Sequence, residues 1–318
     1  MKAHPDWLSR LPNQTSIFDI NLPGTHDSAA IGSRWWPFHL WSLQDRSLTE
    51  QLNDGVRLLD IRLKVNPSGN AYYFVTCHGK GLKGAEYQTL ESALDECRAF
   101  LDSNPSEFIA MLLKVEDFNG TDDDKTNVYG ALDTLFNNYA VFSSSGSALH
   151  RAPDLGSVRG KIYILNRQSP RLATGVPFMW DHNTAGDSNP RPPSTGLRNF
   201  AGHVQDQHEG VGSADKLKLF WRTAQNVPAN GTTLLLNFAS LSRTMFGGSY
   251  INRPLLEKLG GMNASQRLSR LGWVPLDYED RSYKTDLYGS VGLVDLIIGS
   301  NFAYQDHPSA FNLDPGEL

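Results

Sequence analysis

Asn21-Leu-Pro-Gly-Thr-His-Asp-Ser-Ala-Ala30 joins an apolar run to a pair of ionisable residues across a turn. Ile17, Ile20 and Leu22 suit a short buried strand. Pro23-Gly24 is expected to stop it, because proline cannot donate to a ladder and glycine tolerates tight turns. His26 and Asp27 then stand directly after a strand end. Asp27 or Ser28 would serve equally well as the N-cap of a following helix. Later segments decide between these readings, by delivering chemical partners to His26 or failing to.

Working outward, the same arrangement recurs. Val56-Arg-Leu-Leu-Asp-Ile-Arg-Leu-Lys-Val65 is a strand with Ile61, Leu63 and Val65 on one face and Asp60, Arg62 and Lys64 on the other,. Residues 71–77 form a second strand that ends at His78-Gly79. The near-continuous apolar run 108–115 suits a strand buried on both faces and closes on Lys114,. Further strands end at Asn166-Arg167, Asp181-His182, Asp206-Gln-His208 and Asp277-Tyr278. Helices are expected at 47–53, with Ser47 and Glu50 as a capping box, and at 89–101, 122–139, 213–225, 255–271 and 287–299.

Strand starts near Ile17, Leu58, Phe108, Lys161, Phe178, Val204, Thr233 and Trp273 number about eight and alternate with helices,. The fold class expected is α/β, a single distorted (β/α)8 TIM-type barrel occupying residues 1–318 as one domain. No compositional break divides the chain. No Gly-x-Gly-x-x-Gly or Walker loop stands at a strand-to-helix turn, which disfavours nucleotide binding.

The 318 residues are 40% hydrophobic and 20% charged, enough for a substantial core,. A net charge of −5 argues against nucleic acid as a partner,. The N-terminus lacks the apolar core of a signal peptide, and no run is long enough to span a membrane. A soluble protein is expected: extracellular if a leader was removed, otherwise cytoplasmic. Sequons at Asn13, Asn119, Asn230 and Asn263 occur at a frequency expected by chance,. Cys77 and Cys97 give neither a metal-ligand spacing nor a disulfide framework; a buried thiol is favoured over a nucleophile. Trp35, Trp36 and Trp41, interrupted by Pro37, read equally as core or as a rim that meets an interface.

In a parallel barrel all strand ends meet at one mouth. There His26, Asp27, Asp60, Arg62, His78, Lys114, Arg167, Asp206 and Asp277 would gather. Two histidines supply a base and an acid, and an arginine forks onto a phosphate, which is what metal-free phosphoryl transfer needs. A hard cation wants converging carboxylates. Here Arg62 and Lys114 stand beside Asp60 and Glu116 and would repel it.

The stretch Pro23-Gly-Thr-His-Asp-Ser28, the strand Leu59-Asp-Ile-Arg62 and Cys77-His-Gly79 together resemble the catalytic X region of bacterial-type phosphatidylinositol-specific phospholipases C. Weaker similarities continue in order through Lys114, Arg167, Asp206 and Asp277, so that the resemblance covers about residues 11–299. It implies a distorted barrel that cleaves phosphatidylinositol to diacylglycerol and inositol 1,2-cyclic phosphate, which water then opens slowly. By that resemblance His26 is the general base, oriented by Asp277. His78 is the general acid, assisted by Asp27, and Arg62 holds the phosphate. Asp60, Lys114, Arg167 and Asp206 would bind the headgroup. His208 stands where the family usually has a tyrosine that stacks on inositol, which puts headgroup identity in doubt. The tryptophan cluster falls where the family has a membrane-touching helix, so Trp35, Trp36 and Trp41 become expected contacts with a peripheral membrane surface. No cofactor, metal or calcium is expected, because calcium-dependent relatives carry acidic residues at the positions of Arg62 and Lys114. The alternatives are a related phosphodiesterase acting on another phospholipid or a soluble glycerophosphodiester, or an inactive phosphoinositide-binding barrel.

Overall fold

The strands β1 (Leu22–Thr25), β2 (Leu58–Ser68), β3 (Ala71–His78), β4 (Ala85–Thr89), β5 (Ile109–Phe118), β6 (Ile162–Asn166), β7 (Val176–Pro177), β8 (Ala201–Gln205), β9 (Thr233–Asn237) and β10 (Trp273–Leu276) share one sheet. The computed structural model describes residues 3–32, 42–68, 71–80, 85–118, 120–141, 152–167, 172–185, 201–241, 251–260, 270–285 and 289–302. Eight strands run parallel in the order β7-β6-β5-β2-β1-β10-β9-β8. β3 and β4 fold back antiparallel as an extension of β2. Between β7 and β8, the two ends of the order, no ladder is formed among the described residues. The expected α/β barrel is present, in this distorted form.

Helices α1 (Leu48–Asp54), α2 (Leu90–Ser103), α3 (Asp122–Phe136), α4 (Leu155–Val158), α5 (Ser213–Asn226), α6 (Asn252–Gly260) and α7 (Leu293–Ser300) lie between or after the strands. The Ser47–Glu50 capping box forms, satisfying donors that would otherwise be orphaned at the start of α1,. The core is continuous: Leu58, Ile61, Leu112, Leu165, Leu236 and Val274 are all buried. At the end of the barrel opposite the mouth, Arg57 and Glu107 form an ion pair of 2.8 Å with both side chains fully buried. The guanidinium also donates to the carbonyls of Leu52, Val56 and Pro5. That many partners is what makes a buried charge tolerable.

Four local expectations need correction. Residues 17–20 form a turn and a bend rather than a strand, and β1 runs through Pro23-Gly24 instead of stopping there. Pro23 lies just beyond the β2 ladder, which begins at Gly24 opposite Leu58, so its missing N–H breaks no bond on that side,. Gly24 is needed because a Cβ there would sit 2.7 Å from the Leu58 Cβ. The strand expected near Phe178 is only the two residues of β7. β4 carries no clear signal in the sequence: Ala85–Thr89 is half-exposed and its alternation rests on Ala85, Tyr87 and Thr89 alone. The last helix begins at Leu293, after an antiparallel hairpin of β11 (Ser282–Thr285) and β12 (Gly289–Gly292).

Candidate active site

The parallel register brings the strand ends level. Thr25 of β1 lies opposite both Leu59 of β2 and Leu276 of β10, and Arg62 lies opposite Lys114. His26, one residue past β1, therefore meets Asp277, one residue past β10: Nδ1 to Oδ1 is 2.9 Å. On the other side of the ring, the Arg62 guanidinium donates to Nε2 at 2.7 Å. Arginine cannot accept, so this contact assigns the ring proton to Nδ1, donated to Asp277, and leaves Nε2 basic. Burial and the Arg62 charge push the His26 pKa down, yet the carboxylates of Asp277 and Asp27 outweigh them and the net shift is upward. Phe238 sets its ring edge-on to the imidazole at 6.0 Å.

Arg62 is the hub. Its Nε is 3.0 Å from Asp27 Oδ1, and its terminal nitrogen donates to Asp60 Oδ2 at 3.0 Å. Two acidic neighbours raise the guanidinium pKa further, so its charge is permanent. Asp60 is fully buried and is held below the usual carboxylate range, Arg62 and His26 prevailing over burial. Burial instead leaves the Asp27 carboxyl raised. Asp27 has φ 46, a left-handed conformation uncommon for a non-glycine residue, which turns its carboxylate toward the mouth,. Its Oδ2 stands 3.6 Å from His78 Nε2. Residues 28 and 29 continue a turn instead of opening a helix, so the capping alternative does not hold.

The remaining predicted residues line the adjoining side. Lys114 pairs with Glu116, yet burial and the Arg62 charge hold it below the usual amine range. Arg167 stacks on the Trp180 ring, 3.5 Å from its centroid, and lies 3.9 Å from Asp206 Oδ2. Trp180 donates to that same oxygen at 2.9 Å. Asp206 is held well below the usual range despite burial, chiefly by its His208 contact and by Arg167. His208 Nδ1 lies 2.8 Å from the Asp206 backbone carbonyl. The predicted polar residues thus converge, whereas Trp35, Trp36 and Trp41 fall outside the described residues.

Several contributors were not singled out from the sequence. Gln44 donates to the carbonyls of His26 (2.8 Å) and Leu276 (3.0 Å) and accepts from the N–H of Tyr278 (3.1 Å), clamping His26 to the end of β10. Phe238 and Trp180, 6.1 Å apart, make an apolar wall running from His26 to Arg167. The strand-end rule that selected His26 also applies to both of these residues; an isolated Gln44 carries no comparable signal. Burial pushes Cys77 and Cys97 up to about 12, which removes thiolate chemistry near neutrality,.

With this geometry in place, residues 14–156 match the protein family described as PI-PLC X 1. The 1-phosphatidylinositol phosphodiesterase of Listeria monocytogenes is 28% identical over 281 residues, covering 86% of this chain and 81% of its own. Over most of its length the chain is thus similar to bacterial phosphatidylinositol-specific phosphodiesterases. The Staphylococcus aureus (strain Newman) 1-phosphatidylinositol phosphodiesterase is 24% identical and covers 94% of this chain and 95% of its own. A crystal structure of the S. aureus phospholipase superposes with a TM-score of 0.75 at 22% identity, covering 93% of this chain and 97% of the other. The L. monocytogenes structure gives 0.67 at 23% identity, covering 93% and 98%. These superpositions establish the barrel as the shared fold of the relatives. Among the described residues, no helix is long and apolar enough to cross a membrane.

Proposed function

We propose that the chain is a metal-independent phosphatidylinositol-specific phospholipase C acting as one catalytic barrel over residues 1–318. The observation that carries the reading is Arg62 bridging Asp27 and Asp60 while touching the basic nitrogen of His26. The position where a hard cation would need converging carboxylates is held by a permanent guanidinium charge. The named relatives act on phosphatidylinositol, which supports the substrate assignment.

In this reading His26 Nε2 takes the proton from the inositol 2-hydroxyl as that oxygen attacks phosphorus. Arg62 turns from the imidazole to the non-bridging phosphate oxygens and stabilises the charge that develops there. The diacylglycerol oxygen leaves with a proton from His78, whose polarity Asp27 sets. The product is inositol 1,2-cyclic phosphate. In the slow second step His78 takes a proton from water and His26 returns one to the 2-oxygen. Asp60, Lys114, Arg167, Asp206 and His208 contact the headgroup, and Trp35, Trp36 and Trp41 meet the bilayer. Membrane binding is a property studied in the S. aureus neighbour, which favours a peripheral membrane partner here.

The test is a ³¹P NMR spectrum of phosphatidylinositol vesicles treated with the protein in excess EDTA. The cyclic phosphate resonance should appear first and the inositol 1-phosphate resonance later. Full inhibition by EDTA with rescue by calcium would sink the metal-free mechanism. One observation favours a second reading of the headgroup. His208 is braced edge-on by His182 at 5.0 Å and offers a smaller face than tyrosine. Turnover of another phospholipid in preference to phosphatidylinositol would establish that reading instead.

A further inference from the structure

We infer that His182, His208 and Glu209 form a binding site for one borderline divalent transition-metal ion, of which zinc is the model, at the rim of the mouth. We infer further that its occupation inhibits turnover; this second part rests on the function proposed above. The site departs from the sequence expectation of no metal, but it lies outside the reacting group of His26, Arg62 and His78.

One ligand atom from each of the three residues lies within 4.8 Å of the others. His182 Nε2 and Glu209 Oε1 are 3.3 Å apart, already close to the ligand-to-ligand spacing of about 3.4 Å in a tetrahedral zinc site,. His208 Nε2 is 3.8 Å from the same carboxylate oxygen and needs only a small shift. The side chains of His182 and Glu209 are 71% and 57% exposed, so they are free to close on an ion. Two imidazoles and one carboxylate suit zinc, cobalt, nickel or copper rather than calcium or magnesium.

The surroundings point the same way. The Asp206 carbonyl can only accept, so its 2.8 Å contact fixes the His208 proton on Nδ1 and leaves the Nε2 lone pair outward,. Asn183, at φ 58, accepts with Oδ1 from the backbone N–H groups of both His208 (2.8 Å) and Glu209 (2.9 Å). The Asp206 N–H donates to the Thr184 carbonyl at 2.9 Å. Two loops that supply ligands are thereby tied together at the backbone. An exposed histidine–glutamate pair alone would stabilise little, and it would not need this oriented tautomer or the double clamp.

Occupation would commit His208 to the ion and set a hydrated cation beside Asp206, on the side where the headgroup enters. His208 would then be lost as a substrate contact. Turnover should fall without any change at His26 or His78.

The full chain, stripped with EDTA and exchanged into chelator-free buffer, is titrated with Co²⁺ and followed by its visible d–d spectrum. The expected result is one equivalent bound, displaced by Zn²⁺ and not by Ca²⁺ or Mg²⁺. His182→Ala and Glu209→Ala, both at exposed positions, should each weaken binding by roughly tenfold or more. Zn²⁺ should lower wild-type turnover with the midpoint of the binding curve, and Glu209→Ala should keep its turnover in the same Zn²⁺. Absence of binding, or binding unchanged in both variants, would overturn the site. Stoichiometric binding with unaltered turnover would overturn the inhibitory role. Failure of the metal-free protein to cleave phosphatidylinositol would count against the proposed function, while the cobalt titration would still decide the site.

Discussion

His26 Nδ1 and Asp277 Oδ1 stand 2.9 Å apart although 251 positions separate them in the chain. The pair fixes the imidazole tautomer and, with Asp27, raises its pKa above the ordinary value of 6.5. In the proposed mechanism His26 must be neutral to act, so the acid limb of kcat/KM has its midpoint above 6.5. Asp277→Asn removes part of the upward pull, and the limb should move to lower pH while the plateau falls. The plateau loss should be comparable with that of His26→Ala, roughly 10²–10⁴-fold. The pair's contribution to stability is full below the unfolded-state pKa and is lost as pH rises through the higher folded value. The stability gap between wild type and Asp277→Asn should therefore be wider at pH 6 than at pH 8. Kinetics across pH together with urea unfolding at two pH values check both halves.

Arg62→Ala leaves two buried carboxylates, Asp27 and Asp60, without their shared cation. A loss of about 3–5 kcal/mol in unfolding free energy is expected, because a partner removed from a buried ionic cluster leaves uncompensated charge. Lowering the pH should narrow the deficit, as protonation of the carboxyls removes that charge. Arg62→Lys should retain most of the stability but little turnover, since an ammonium cannot fork onto Asp27, Asp60 and a phosphate together. Urea titrations and ³¹P-detected turnover separate the two effects.

Lys216 is fully buried, and its Nζ donates to Gln205 Oε1 and the Gln207 carbonyl, both at 2.7 Å. Burial pushes its pKa down from 10.5 to about 7. Between those values the unfolded chain holds a proton that the folded chain does not, so this lysine makes stability rise with pH across that window. Lys216→Met should flatten that rise. It also releases the segment carrying Asp206, so KM for phosphatidylinositol should increase more than kcat falls.

Glycine substitutions test the close packing at the start of β10 against an open position on a helix. An alanine Cβ at Gly272, where φ is 81, would lie 2.5 Å from the Leu235 carbonyl oxygen. Gly272→Ala should cost about 2 kcal/mol or more, from backbone strain and overpacking together. Gly130 in α3 has nothing within 4 Å of a built Cβ. Gly130→Ala should stabilise by roughly 0.5–1 kcal/mol. Thermal denaturation of both variants gives the comparison.

The strand-end rule made His26, Arg167, Asp206 and Asp277 legible, because parallel strands deliver their C-terminal residues to one place whatever their separation in sequence, whereas Arg62 lies within β2 and His78 reaches the same place because β3 doubles back antiparallel along β2. The boundaries of β1 were not legible: whether Pro23 breaks a strand depends on where the β2 ladder starts, which is a fact about the neighbour. Gln44 was hidden for a related reason. Its amide acts on two strand ends that only folding brings together, and no local pattern marks it. The His182–Glu209 cluster was passed over because its ligands come from separate loops that Asn183 joins at the backbone, and neither loop has ligand spacing by itself. His208 was read through its side chain, whereas its Nδ1 contact with the Asp206 carbonyl is what gives it a defined tautomer.

β1 is the first strand of the barrel to be made and β10 the last, yet they are direct neighbours in the sheet. A chain emerging during synthesis displays His26, Arg62 and His78 long before Asp277 exists to hold the imidazole. His26 gains its Asp277 contact only after nearly the whole barrel has left the ribosome. For a protein proposed to cut membrane lipid, the order of strands means that partial chains carry His26, Arg62 and His78 without Asp277, and so without the arrangement the proposed reaction needs.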